Sequence, residues 1–440
     1  MASRAGDPDL ARRLFEESIK LHEEQSDTRA AARVLSRLGM LDLFTGRRDE
    51  AIARMERAFA VISADEPDED LALLAARLSR GHWFGGDLER AAKLAELALD
   101  IAEAHAYPAA LGQALRTKAV VASRGHTEEA LALLKHALEI ALDHDLADDA
   151  SVCYFLLSDG SFRRDQYTDA LGYLDESLAL ARKLGSRPQE WAVLAERTYP
   201  LYMLGRWDEA QATSDEFTQK QVDVGGVVLS LLQSSVEIHL QRGELDGAHR
   251  IFSMFSRLEE STDVQERSCY LCSRASLRRA EGRPQEALAD GETTIEIGRT
   301  LGIAAQAVKQ GLVESLEAAF VLGKAAKIEE LLTSIETVPA GSRAPYLDAQ
   351  ARRFRARLAG DGAGFEAAAE QFRELGIPFW LAVTLLEHAE WLVGHGQPSQ
   401  AEPLLAEATE IFERLEARPW LERTRRLDSA GQPEAVTAGH

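Results

Sequence analysis

At near-constant spacing along the chain a glycine is followed five residues later by an alanine: Gly46 and Ala51, Gly86 and Ala91, Gly125 and Ala130, Gly205 and Ala210, Gly243 and Ala248, Gly282 and Ala287, Gly396 and Ala401. Asp165 and Ala170 fit the same phrase with aspartate in the glycine place, and Gly323 and Gly360 mark two degenerate copies. The steps from Gly46 onward are 40, 39, 40, 40, 38, 39, 41, 37 and 36 residues, a mean near 39. A period held that long means a chain built by stacking one supersecondary unit, and little else about the fold stays free.

Each phrase has a mechanical reading. Glycine can take the left-handed conformation in which many helices end. Acidic residues after it suit the positive end of a new helix, as in Gly46-Arg-Arg-Asp-Glu. The alanine is small enough for two helices to cross closely. An amphipathic stripe follows, such as Leu88, Ala91, Ala95, Ala98 and Ala102. Sustained alternation with β-branched residues is missing, so no strand is expected. The pattern predicts an all-α protein: a right-handed α-solenoid of about ten helix pairs of about 39 residues. The phrase Gly6 to Ala11 lies 40 residues before Gly46, which adds half a repeat at the N-terminus. That half repeat reads as a cap or as the stump of a longer regulator. One superhelical domain is expected over 6–428, closed by a helix from Pro419 to about Leu427, with a disordered tail over 429–440.

At these residues the chain resembles the tetratricopeptide-repeat superfamily. That family carries the turn glycine and the alanine five later, often with a large residue nine after the glycine and alanine twelve after. Met55 with Ala58, Leu134 with Ala137 and Leu405 with Ala408 match, and Gly39 matches the glycine of the family's first helix. Most units lack that glycine and the closing proline, and the period exceeds the family's 34 residues. The excess is similar to the lengthened bacterial variety in LuxR-type and STAND regulators and in ATPase-linked adenylate and guanylate cyclases. Unit ends such as Leu180-Ala-Arg-Lys-Leu-Gly185 and Phe372-Arg-Glu-Leu-Gly376 resemble theirs too.

Charge narrows the partners. There are 50 basic against 72 acidic residues, a net of −22. Such a surface repels phosphate, so neither nucleic acid nor an anionic membrane is expected. The sequence has no run long enough for a membrane span and no apolar leader at its start. Three cysteines in 440 residues make no disulfide framework. A cytoplasmic location is expected.

Catalytic chemistry is not nominated. Gly323-Lys324 is followed by Ala325, and Ala318 stands where a phosphate loop needs glycine. Gly360-Asp-Gly-Ala-Gly364 lacks a preceding strand and ends on Phe365, so it reads as a repeat turn. Gly85-Gly86-Asp87-Leu88-Glu89 also falls in a repeat turn. Cys269 and Cys272 share a helix face without a second ligand pair, and read as packing residues. No catalytic, cofactor-binding or metal-binding residue is expected, and the protein reads as no enzyme.

The resemblance implies that the first helix of each pair lines a concave groove, with groove residues six and three before the turn. Carried over, these are Arg80 and Trp83, Asp159 and Phe162, Tyr199 and Tyr202, Glu237, Ser276 and Arg279, and Glu317 and Phe320. An aromatic groove with scattered charges suits a peptide or a small apolar ligand. Rotation of the longer first helices would instead make the aromatics inter-repeat packing. The expected function is a protein- or peptide-binding scaffold or sensor of a bacterial signalling system. The alternative is a solenoid sensing a small inducer, severed from a cyclase, ATPase or transcription regulator.

Overall fold

The computed structural model describes residues 7–44, 47–123, 126–220, 229–339 and 342–431. Every regular element among them is helical. Helix α1 (Pro8–Glu24) comes first, and the others alternate as first and second members of successive pairs. These are α2 (Thr28–Phe44) and α3 (Arg48–Ile62), α4 (Glu69–Gly85) and α5 (Leu88–His105), α6 (Pro108–Ala122) and α7 (Thr127–Asp143), α8 (Ala147–Arg163) and α9 (Tyr167–Leu184), α10 (Arg187–Met203) and α11 (Trp207–Lys220). They continue as α12 (Leu229–Arg242) and α13 (Leu245–Ser253), α14 (Val264–Ala280) and α15 (Pro284–Ile297), α16 (Gln306–Val321) and α17 (Ala325–Glu336), α18 (Pro345–Ala359) and α19 (Gly362–Glu374), α20 (Pro378–Gly394) and α21 (Pro398–Arg414). A closing helix α22 spans Arg418–Gly431, longer than the sequence pattern suggests.

The repeated phrase does locally what its residues dictate. Gly86, Gly205, Gly243, Gly282, Gly323, Gly360 and Gly396 all have positive φ, and so does Asp165 at 57°. Gly6, Gly46, Gly125 and the tail after Gly431 lie outside the described residues. Second helices start on capping side chains where one is present: Asp87 accepts from the Arg90 amide at 3.1 Å, and Asp361 from that of Ala363 at 3.1 Å. Proline opens α6, α15, α18, α20 and α21, where the missing N–H costs nothing. The phrase alanines Ala51, Ala91, Ala130, Ala170, Ala210, Ala248, Ala287 and Ala401 are all buried. Met55, Ala58, Leu134, Ala137, Leu405 and Ala408 are buried as well.

The chain forms two compact units. Unit 1 comprises Met1–Gly160 and Gly172–Leu194; unit 2 comprises Ser161–Leu171 and Ala195–His440. In unit 1 the first helices α2, α4 and α6 lie side by side, over a core that includes Met55, Leu74, Leu78, Leu94, Ala98 and Leu115. Burying a leucine of this kind contributes about 1.5–3 kcal/mol.

Unit 2 returns on itself. The Trp420 indole donates to Gln241 Oε1 at 2.8 Å, and Arg242 Nε donates to the Leu415 carbonyl at 3.3 Å, joining α12 to the end of the chain. Trp207, buried as its place in the turn suggests, packs on Phe379 with ring centroids 5.5 Å apart. At Gly205 a Cβ would come within 2.6 Å of Pro378, so the returning helix requires glycine there for space as well as for its φ of 72°. The first helices of unit 2 thus enclose an interior.

Candidate functional site

That interior is built by one set of elements. A cavity of about 30 Å³ is lined by Tyr199, Tyr202 and Met203 of α10, Glu237 of α12, Gln310, Val313 and Glu314 of α16, Tyr346 of α18 and Trp380 of α20. Every one of these is a first helix, the set that the resemblance assigns to the groove. That space can hold ordered water.

Three of the sequence-nominated residues meet here: Tyr199, Tyr202 and Glu237. Phe162 joins them, its ring edge-on to Tyr199 at 5.6 Å. Phe162, Tyr199 and Tyr202 are only 3%, 6% and 7% exposed. What the sequence presents as a groove-facing strip is, in unit 2, buried interior. The reason is the closure described above: six first helices converge, and the aromatics fill the space between them. Trp83 belongs to unit 1 and is not part of this cluster.

Around the aromatics runs a polar network. Gln310 Nε2 donates to Glu237 Oε1 at 2.7 Å and to Ser276 Oγ at 3.0 Å, while its Oε1 accepts from Gln233 at 2.6 Å. Gln241 donates to the other oxygen of Glu237 at 3.1 Å. Arg279 holds Glu314 with two bonds, at 2.6 and 3.0 Å. Arg353, fully buried, forks onto Glu387 at 2.7 and 2.6 Å and reaches Glu317 at 2.6 Å. Arg357 adds a bond to Glu317 at 3.1 Å and sits 3.8 Å from the ring centroid of Phe320. So Ser276 is hydrogen-bonded into the interior layer, while the half-buried Arg279 and Glu317 are held by ion pairs and Phe320 by the Arg357 guanidinium.

The electrostatics follow from that enclosure. Burial, then the charge of Glu314, pushes the Glu237 carboxyl up to about 7. Burial alone would raise Glu317 too, but the charges of Arg353, Arg357 and Arg279 outweigh it and hold that carboxyl well below the usual range. Burial and then Glu237 lift the Tyr202 hydroxyl, so it stays neutral.

Gln310, Glu314, Tyr346, Trp380 and Arg353 escaped the sequence reading. Glu314 lies nine before its turn glycine, outside the two positions, six and three before the turn, that the resemblance assigns to the groove. Tyr346 and Trp380 sit at the openings of their helices, far from the turn.

In unit 1 the same face is more open. Arg80 and Trp83 of α4 are half-buried, and Asp159 of α8 is exposed. Arg77 Nη1 donates to Ser36 Oγ at 3.0 Å, and Arg116 meets Asp149 Oδ1 at 2.6 Å and its carbonyl at 3.0 Å. Burial, then repulsion by Arg116, lowers the Arg80 guanidinium to about 10.

Cys269 and Cys272 are buried free thiols, and Cys272 Sγ turns back to the Cys269 carbonyl at 3.2 Å. Burial, then its neighbour Cys272, pushes the Cys269 thiol well up, away from the reactive thiolate. Among the described residues no helix is long and apolar enough to cross a membrane.

The fold defines a helix-pair repeat protein. Residues 1–64 match the family model for the tetratricopeptide repeat. No curated protein matches the sequence. Among solved structures, a Rap protein complexed with competence and sporulation factor is similar at 17% identity, over 67% of this chain and 87% of that one, with a TM-score of 0.51. The human IFIT1 dimer with m7Gppp-AAAA shares 13% identity over 96% and 94%, with a TM-score of 0.47. A signal transduction ATPase with numerous domains from Pyrococcus horikoshii, which has a tetratricopeptide repeat sensor, shares 15% over 74% and 50%, with a TM-score of 0.41. The family match thus covers residues 1–64, and the described residues beyond it continue as helix pairs of the same kind.

Proposed function

We propose that this chain is a non-enzymatic protein- or peptide-binding module, a cytoplasmic scaffold or sensor of a bacterial signalling system. One observation carries the reading. The first-helix face lines only a small cavity in unit 2, whereas in unit 1 it carries the half-buried Arg80 and Trp83 and the exposed Arg37. Grooves of this kind hold peptides by aromatic and arginine anchors.

Selecting displayed random peptides on the full chain tests this. Binders should emerge, and Trp83→Ala should release them while helical content is kept. Failure to select any peptide, or binders indifferent to Trp83→Ala, would overturn the reading.

A further inference from the structure

The turn glycines supply a register for unit 1. Nine residues before Gly46, Gly86 and Gly125 stand Arg37, Arg77 and Arg116. They occupy one repeat position on α2, α4 and α6, which pack side by side in that order. The next residue in the column is Leu156, so the arginine run ends there. In unit 2 the column becomes Glu196, Ser234, Ser273, Glu314, Ala351 and Glu387. A chain with a net charge of −22 therefore gathers positive charge along one line.

One member of the line, Arg116, is buried and internally paired, but Arg37 and Arg77 form no ion pair among the described residues. Arg37 is exposed and makes no hydrogen bond or ion pair among the described residues. Arg77 is half-buried, with its hydrogen bond going to the neutral Ser36. Arg116 is paired with Asp149. Burial and then the charge of Arg37 lower the Arg77 guanidinium, against the pull of Asp70 and Asp149. Asp70 itself is held by Arg33. A further anion on this face would meet Arg37 and Arg77, which repel each other and have no carboxylate partner within ion-pair distance among the described residues.

We propose that this face of unit 1 docks an acidic peptide segment of a partner protein, laid across α2 and α4 with its carboxylates on Arg37 and Arg77. The inference rests on the protein-binding reading above and adds the chemistry of the partner. Its spacing is specific. Packed helix axes lie roughly 8–10 Å apart. An extended or polyproline-like peptide advances about 3.1–3.3 Å per residue. Three residues therefore span one step of the ladder, and the ligand that fits carries an acidic residue at every third position. Arginine suits this task because its planar fork takes a carboxylate with two bonds.

The test uses the full chain and labelled synthetic peptides followed by fluorescence anisotropy. One peptide has glutamate at every third position, and another has the same composition with the glutamates contiguous. A third replaces glutamate by lysine, and an RNA oligonucleotide serves as a polyanion of another class. The periodic peptide should bind about tenfold more tightly than the contiguous one, a difference of about 1.4 kcal/mol. Its binding should weaken as salt rises. Arg37→Gln with Arg77→Gln should abolish that preference. Arg57→Gln with Lys135→Gln, which removes the same net charge from exposed sites on the second helices α3 and α7, should leave it intact. Equal binding of the two glutamate peptides, retention of the preference in the Arg37 and Arg77 variant, or RNA binding in place of peptide would overturn the proposal. Peptides that are selected without acidic residues but still need Trp83 would defeat this inference and leave the binding module standing.

Discussion

Lys309 Nζ lies 2.6 Å from Asp165 Oδ1, across 144 residues of chain, with both side chains buried. The ammonium also donates to the Phe162 carbonyl at 2.8 Å. Asp165 Oδ1 accepts from the Tyr167 hydroxyl at 2.8 Å, and its other oxygen from the Tyr346 amide at 2.7 Å. One aspartate therefore fastens the turn between α8 and α9 to α16 and α18 within unit 2. This explains why the repeat phrase has aspartate, not glycine, at this one turn.

Asp165→Gly would restore the repeat's usual residue and suit the positive φ. It should nevertheless destabilise the protein, because Lys309 would be left as an uncompensated buried charge, at about 3–5 kcal/mol. Asp145 has a similar φ of 54° but is exposed. There Asp145→Gly should change stability by less than about 1 kcal/mol. Urea unfolding of the two variants, followed by circular dichroism, compares them directly. Equal stabilities would mean that the buried pair contributes nothing net.

Close helix crossings give a second contrast. A Cβ at Gly291 would run into Ser315 and come within 2.9 Å of the Gly311 carbonyl, which is backbone and cannot step aside. Gly291→Ala should cost about 1–3 kcal/mol. Gly172, inside α9, has nothing within 4 Å of such a carbon. Gly172→Ala should stabilise by up to about 1 kcal/mol through helix propensity alone. Thermal melts of the two variants should shift in opposite directions, and a shared direction would refute the crossing geometry.

The repeat was legible because its signal is local: a glycine forced to positive φ and an alanine forced to be small recur wherever a helix pair turns. Asp165 was even visible as the deviant member. Its partner was not, because nothing in the sequence around Lys309 points to a turn 144 residues earlier. The interior residues divide the same way. Glu237, Ser276, Arg279 and Glu317 follow the register counted back from the turn. Tyr346 and Trp380 are brought in by the closure of unit 2, which depends on how many pairs complete the return. Burial of Phe162, Tyr199 and Tyr202 has the same origin, since a periodic pattern fixes which face they share and not what lies opposite.

The buried carboxylates predict a pH dependence with a definite sign. Glu237 is raised to about 7 in the folded protein, against an ordinary carboxyl near 4.5 when unfolded. The folded state then binds the proton more tightly, so this group's contribution is full below about pH 4.5 and is lost as pH rises through 7. Glu317 has the opposite sign: its depressed pKa gives stability above the ordinary carboxyl range that is lost on acidification. Glu237→Gln should flatten the stability profile between about pH 4.5 and 7, by up to about 3 kcal/mol over the window. Denaturant midpoints across that range measure it, and an unchanged slope would show that Glu237 titrates normally.

Tyr199 and Tyr202 bear on how unit 2 is held together. Tyr199 touches Phe162 and Tyr167 edge-on, at 5.6 and 5.7 Å between ring centroids. Tyr202 stacks on Trp207 at 6.0 Å, and the Trp207 indole donates to the Tyr202 carbonyl at 3.0 Å. Both rings line the cavity, so truncating them joins new empty space to a void that already exists. Large aromatic-to-alanine changes in a core cost about 3–5 kcal/mol each, and neighbours sharing one cavity do not add simply. Tyr199→Ala with Tyr202→Ala should therefore melt unit 2 early. Tyr199→Phe should be mild, because ring packing is kept. Helices of a solenoid contact mainly their neighbours, so amide exchange in α2 to α6 of unit 1 should stay slow in the double variant while α10, α12 and α16 exchange faster. Peptide capture through Trp83 should survive as well. An intact melt with lost capture would instead return the two tyrosines to a ligand-bearing groove, and would mean that unit 2 opens in solution to admit a partner.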